Sequence, residues 1–547
     1  MLKRIVVMLL IGLVGLYAFA GGGGEPQPEP KPAEEAAQKP SPEAGPKQGG
    51  TLVVGMKTTP QHLDIHMSPG HPGFDVLAQV NDYPIFHDAI NNKLLPGLFT
   101  SWEISDDGTE YTFKIRKGVK FHSGEPLDAD AVKLSMDRHL DPDCPTIAKA
   151  MWTDCVKEWV VIDEHTIKAV LKFPFSPFLY VLTTNLAPIL SPKTLKDNWT
   201  KPVTEAIGTG PFMVKDFEPA VSITLVRNPD YWGLKPENSD AWAAGGPYLD
   251  ELKYVAIPDD AARMVALETG EIDVASAVPV VDIDRLKENP DVKISDIPGA
   301  ATIRIVPNHL RKPYDDPLVR KALNYAINKQ AIVDNLLGGH ARVSDCWVAP
   351  ALFGYAPTIA YKYNPEKAKQ LLTEAGYPDG FEMDYYAVSG RYLMDYAVSA
   401  AVAADWTKVG IKVNMHMVDG ATFSQLQRKP PQEAPMDIYL MMHGAGTCDV
   451  DQVGTVAIHS KSWFPNGTNY QAYSNPRADE LLDKARVEPD PAKRLEMYKE
   501  LWQITMVEDA MCIYMYVPNV ITGYRANVHD VWFCPKNYQF FYHTWKD

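Results

Sequence analysis

The sequence predicts an α/β protein with mixed sheets flanked by helices, and three observations carry that prediction. Four helices in the second half begin with one device: Asp316-Pro317, Asn364-Pro365, Asn475-Pro476 and Asp490-Pro491. The Asn or Asp side chain accepts from free N–H groups, and proline has its φ preset for a first helical turn. These helices alternate with apolar strands at Met383 to Ala387, Ile411 to Val418 and Met436 to Met442. The third observation is the stretch Phe99 to Leu140, which holds a hairpin, a basic turn and a helix start in close succession.

At 547 residues the chain is long enough for two to four domains, and its net charge of -16 excludes a polyanion partner. Nucleic-acid binding needs clustered Lys and Arg, and there is no basic stripe. Lys3 and Arg4, an apolar run from Ile5 to Leu16, and Ala18 and Ala20 before Gly21 make the three parts of a secretory signal. Residues 1–20 are therefore expected to be a cleavable signal peptide. An uncleaved anchor is the alternative, because the run falls just short of the roughly 18 to 20 apolar residues that span a bilayer. Residues 21–48, rich in Pro and Glu, cannot bury enough apolar surface to offset ordering entropy and are expected to be a disordered linker.

Thr51 to Gly55 is a continuous apolar strand. The following loop holds His62, His66 and His71, but no carboxylate or cysteine stands at a ligand spacing, so ligand contact or solvation ranks above a metal. Val76 to Phe86 reads as a helix containing Tyr83. Glu103 to Ser105 and Glu110 to Arg116 alternate as strands do, with Asp106-Asp107-Gly108 as the turn. Val119 to His122 reads as a short strand, and Asp128 as the cap of a helix with Val132, Met136 and Leu140 on one face. Two more strands fill Val156 to Lys172. Gly208 to Phe212, GTGPF, is a turn rather than a phosphate loop, since it lacks G-x-x-x-x-G-K-[ST] and leads into a strand. A strand follows at Tyr248 to Ile257, a helix from Asp260 to Thr269 stopped by Gly270, and strands at Ile272 to Ala275, Ala301 to Pro307 and Met511 to Val517. The six cysteines form no C-x-x-C, so zinc and redox sites are not expected. Cys144 and Cys155 are the expected local disulfide pair.

The run SWEISDDGTEYTFKIRKGVKFHSGEPLDADAV from Ser101 resembles the signature of the family 5 extracytoplasmic solute-binding proteins of ABC importers. Segments from Gly208, Tyr314, Tyr363 and Tyr473 agree in the family's order, so the resemblance covers the chain after Gly49. It implies the two-lobed periplasmic binding protein fold, type II, of the large class with an extra subdomain in the first lobe and a ligand cleft between lobes. The implied boundaries are lobe I at 49–95, 207–305 and 513–547, the extra subdomain at 96–206, and lobe II at 306–512. Many relatives are lipoproteins, whereas the first cysteine here is Cys144; a periplasmic protein is expected. The implied partners are a peptide or small organic ligand and the importer's membrane permease subunits, with no cofactor and a monomeric state.

In peptide-binding relatives an acidic residue in the loop matching HGAGTCDVDQ pairs with the peptide's amino terminus. Asp449 is the best match and Asp451 the near alternative, while Thr447 takes the tryptophan position and the D-x-x-[DE]-P ending is missing. Asp449 also reads as a plain loop carboxylate or helix cap. Cys448 matches a cysteine of some relatives whose partner arises near Arg304; here the nearest candidate is Cys346. Trp347, Trp463 and Tyr83 are aromatics for stacking on a ligand, or core. His443 and Arg304 are polar groups in or beside strands near the cleft that would need partners if buried. A sugar or metal chelate is the alternative cargo, and a receptor or chaperone role stays open. A hydrolase is disfavoured, because G-x-S-x-G, H-E-x-x-H and P-loop motifs are all missing.

Overall fold

The structure is a computed structural model that describes residues 45–547 except 69, 148, 360 and 445; the expected signal peptide and residues 21–44 of the expected linker lie outside the described residues. One twelve-stranded mixed sheet organises the chain. From one edge its order is Lys412–Val418, Glu382–Val388, Ile438–Gly444, Ala301–Pro307, Ile513–Arg525, Val274–Ala275, Thr51–Met56, Glu251–Ala256, Ser222–Arg227 and Phe212–Glu218. Val292–Pro298 and Ala341–Val343 also pair with Ile513–Arg525.

That last strand is 13 residues long, about twice the usual length. Its first part pairs with Ala301–Pro307, through Ile305 to Ile513 and Ile303 to Tyr516, and its remainder with Val292–Pro298, from Pro298 at Asn519 to Val292 at Arg525. Only Gly299 and Ala300 separate the two partner strands. The Gly299 N–H donates to Pro518 O at 3.0 Å, and a Cβ at 299 would lie 2.6 Å from that oxygen, so only glycine permits the approach. Two chain segments thus cross side by side between the halves of the sheet. The expected strand at Met511 to Val517 is longer than its apolar run suggested, because Asn519, Thr522 and Arg525 find ladder partners.

Around Leu440 and Ile513 one core gathers Val319, Leu323, Leu371, Tyr385, Val402 and Trp406. Another surrounds Leu52 and Val54, with Val76, Phe212, Leu225 and Leu252. All four Pro-initiated helices form with their caps: Asp316 accepts from Leu318 N, Asn364 from Lys367 N, Asn475 from Arg477 N and Asp490 from Ala492 N, at 2.8 to 3.0 Å. A separate four-stranded antiparallel sheet, ordered Phe99–Ile104, Glu110–Ile115, Thr166–Leu171, Val156–Asp163, carries the helix Ala129–Leu140. Asp128 caps that helix through Ala131 N at 2.8 Å, and its Val132 and Met136 are buried against the sheet.

Three local expectations are corrected. The helix expected over Val76 to Phe86 spans His71–Leu77, and Ile85–Asp88 is a strand paired with Lys93–Pro96. Pro84 biases Tyr83 away from helical φ/ψ, and Asp82 is drawn into bonds from Tyr231, Trp232 and Thr209. Val119 to His122 contributes only an isolated bridge between Lys120 and Pro126. Cys144 and Cys155, which flank the short helix Ala150–Thr153 in sequence, are buried free thiols, each donating to a different carbonyl, Trp199 O and Met151 O.

Candidate ligand-binding site

Where the strands cross, a cleft of about 810 Å³ opens. Its floor is Gly299 to Ala301, Ile303, Tyr516 and Pro518 to Ile521; Ala277 to Val281 and Thr184 to Leu186 form one side, and Gly390 to Met394, Met442 and Gly446 the other. The C-terminal segment Pro535 to Tyr538 completes it. The lining is mainly apolar, which suits an organic solute oriented by a few polar groups.

Its charges are unbalanced. Lys57 is paired with Asp260 at 3.2 Å, and Asp260 also meets Arg263. Arg391 has no carboxylate partner among the described residues and lies over the Tyr392 ring, while the Lys536 ammonium donates to Gly446 O at 3.0 Å. Among the described residues, two cations therefore face the cleft without a countercharge.

None of the eight side chains singled out in the sequence lines this space. Asp449 is fully buried, and both carboxylate oxygens accept from Arg494 Nη2 at 3.0 and 2.9 Å. One of them also accepts from Asp451 N, capping the helix Val450–Ala457. Thr447 braces this loop, donating from Oγ1 to Asp449 O and from N to Gln452 Oε1. Asp451 pairs with Arg486 at 3.1 Å. Arg486 in turn lies over the rings of Phe175 and Phe173, at 5.3 and 6.0 Å, and its carbonyl accepts from Ser176 N at 3.0 Å. Trp463 donates to Tyr473 O, away from the cleft.

The other four adjoin the cleft. Tyr83 is buried and donates to Asn185, a cleft residue; it lines a void of about 10 Å³ that shares Lys536 and Tyr538 with the cleft. Arg304, Trp347 and His443 converge on a second void of about 10 Å³ that meets the cleft at Ala300 and Gly444. Arg304 lies over Trp347 at 4.2 Å, and the Trp347 and His443 rings are 5.4 Å apart. Burial lowers the Arg304 pKa; burial and the Arg304 charge hold His443 well below the usual imidazole range, hence neutral. Arg391, Lys536 and Asn185 were missed by sequence reasoning, because a lone cation or amide in a loop carries no periodic signal.

His66 is buried and bonded to Pro188 O at 2.8 Å, and His62 accepts from Asp64 N. Among the described residues no group of three or more His, Cys, Asp or Glu is placed to hold a metal, and no helix is long and apolar enough to cross a membrane.

Comparison with known proteins places this architecture. The model for the middle region of the bacterial extracellular solute-binding proteins, family 5, matches residues 93–455. The glutathione-binding protein GsiB of Salmonella paratyphi A is 30% identical over 448 residues, which is 82% of this chain and 84% of that protein. Among solved structures, HbpA2 of Haemophilus parasuis superposes with a TM-score of 0.80 at 27% identity, covering 91% of this chain and all of its own. The periplasmic binding protein DppA of Helicobacter pylori, in complex with the peptide STSA, gives 0.74 at 25% identity, covering 91% and 98%. These findings agree with the two-lobed α/β fold and with binding rather than catalysis: the chain belongs to family 5 of the bacterial extracellular solute-binding proteins, the ligand-binding components of ABC importers.

Proposed function

We propose that the chain captures a peptide or peptide-like organic solute bearing at least one carboxylate, and delivers it to the membrane permease subunits of its importer. The observation that carries this reading is the charge balance of the cleft, with Arg391 and Lys536 facing it while its one acid, Asp260, is already paired. A carboxylate meeting either cation replaces water contacts with a charge-assisted bond in a largely apolar setting. The α-amine anchor expected of Asp449 is committed to Arg494, so the solute is held first by its negative end. GsiB is named for glutathione and DppA is complexed with a peptide, and both ligand types carry carboxylates.

In this reading lobe I is 49–95, 207–305 and 513–547, the extra subdomain is 96–206, and lobe II is 306–512. The crossing at Gly299 and Pro518 is the hinge, and a solute touching both walls favours the closed form. The mature protein acts as a periplasmic monomer after removal of residues 1–20. Native mass spectrometry of the protein from its own host, followed by denaturation, tests the assignment. A carboxylate-bearing peptide or small organic solute at one per chain is expected, and a neutral sugar or a metal chelate would overturn it.

A further inference from the structure

Arg304 is 3% exposed, and its Nε and Nη1 have no hydrogen-bond acceptor. No carboxylate pairs with it among the described residues, and the ionisable groups nearest it, Cys512, Tyr514 and Tyr439, are held neutral because burial raises each of their pKa values. The Trp347 Nε1–H beside it is likewise buried without an acceptor. A buried guanidinium in this state is unfavourable by itself; three N–H donors without acceptors at one void call for an oxygen acceptor, and the unpaired positive charge favours an anionic one.

Strand alternation explains the placement. Ala301 and Ile303 line the cleft, while Thr302 and Arg304 turn to the opposite face, as His443 does between Met442 and Gly444. The two spaces share Ala300 and Gly444, where both strands end, so an extended solute in the cleft can pass a terminal group round those strand ends. A void of about 10 Å³ admits one oxygen-sized atom.

We propose that the Arg304 void is an anion subsite that receives a carboxylate oxygen of the solute, with Arg304 and Trp347 as its donors and His443 as a neutral wall. The proposal deepens the carboxylate assignment made above and rests on the cleft holding the solute. Carboxylates and halides share the required charge, and the test separates them.

Full-length protein and Arg304→Gln are each purified from the native host. Their released solutes are quantified, and the thermal midpoints of the solute-free, refolded proteins are followed in sodium acetate, acetamide and sodium bromide at matched ionic strength. Acetate should raise the wild-type midpoint saturably by a few degrees, with acetamide inert. Arg304→Gln should lose that response and carry about 10- to 100-fold less solute per chain, while its own midpoint stays level or rises because a bare buried charge has gone. Solute released in equal, non-zero amounts from both proteins overturns the proposal, as does a wild-type midpoint indifferent to acetate. Bromide matching acetate while the variant keeps its solute would mark a resident inorganic ion and also overturn it. A response to acetate that depends on Arg304, in protein from which no solute is released, would instead defeat the cleft assignment and leave the anion subsite standing.

Discussion

Replacing Asp449 by Asn separates a structural carboxylate from a ligand anchor. The pair it forms with Arg494 is buried on both sides, at 0% and 3% side-chain exposure. Asn is isosteric and caps a helix as well as Asp, so the bond to Asp451 N survives and the change removes only the countercharge. Arg494 would keep its bond to Ala485 O and its place over Phe353, yet lose the one carboxylate it pairs with among the described residues. Leaving one member of such a pair bare costs about 3–5 kcal/mol. For a folding unit of about 150–250 residues each kcal/mol moves the midpoint by about 2–4 °C, so a fall of about 6–20 °C is expected. The assay is calorimetry of solute-free protein beside titration of the released solute at a temperature where both proteins are folded. The affinity of the folded variant should stay within about threefold of wild type, equivalent to well under 1 kcal/mol. A midpoint within a degree of wild type, together with a large loss of affinity, would refute the argument and restore Asp449 as an amine anchor.

Two further outcomes follow from the same geometry. Burial holds His66 at about 4, so between pH 6.5 and 4 the unfolded chain binds a proton that the folded chain refuses; stability is present above pH 6.5 and falls as pH falls, by up to about 3 kcal/mol from this residue. His66→Gln keeps a donor for Pro188 O and should flatten that part of the urea-midpoint profile; an unchanged slope would contradict it. Arg486→Gln should loosen the contact between the Phe173 to Ser176 turn and the helix Pro476–Val487, weakening solute binding about 5- to 30-fold if a cation–π contact and a part-buried pair together supply about 1–2 kcal/mol to closure. X-ray scattering should then show a larger radius of gyration for the solute-loaded variant, and an unaltered profile with unaltered affinity would remove Arg486 from the closing contact.

Most of the fold was legible because its signals are local. The Asp-Pro and Asn-Pro starts and the Gly270 stop each state their own structure, and the folded chain places every one of them within a few residues. The helix drawn through Tyr83 failed because Asp82 answers to Tyr231 and Trp232, 149 and 150 positions away, which no window of sequence contains. The site was less legible for the same reason. Arg304 and His443 read as polar groups near the cleft and Trp347 as a separate aromatic, and their convergence depends on which face of two paired strands Arg304 and His443 occupy and on the loop that brings Trp347 over Arg304. Asp449 looked available because its partner Arg494 lies 45 residues on, in a helix whose polar residues look solvent-facing. Lys536 has no neighbours in sequence to mark it, and only its bond to Gly446 O, 90 residues away, places it at the cleft.

In the proposed bound state a solute sits at the strand crossing with its negative end on the protein's unpaired cations. A crystal structure of the protein with the solute it carries from its host tests this most directly. Density is expected in the cleft over Gly299 and Pro518, with a carboxylate within hydrogen-bonding distance of Arg391, Lys536 or Arg304 and the Asp449 to Arg494 pair intact. Density outside the cleft, or an amine seated on Asp449 with Arg494 displaced, would contradict it.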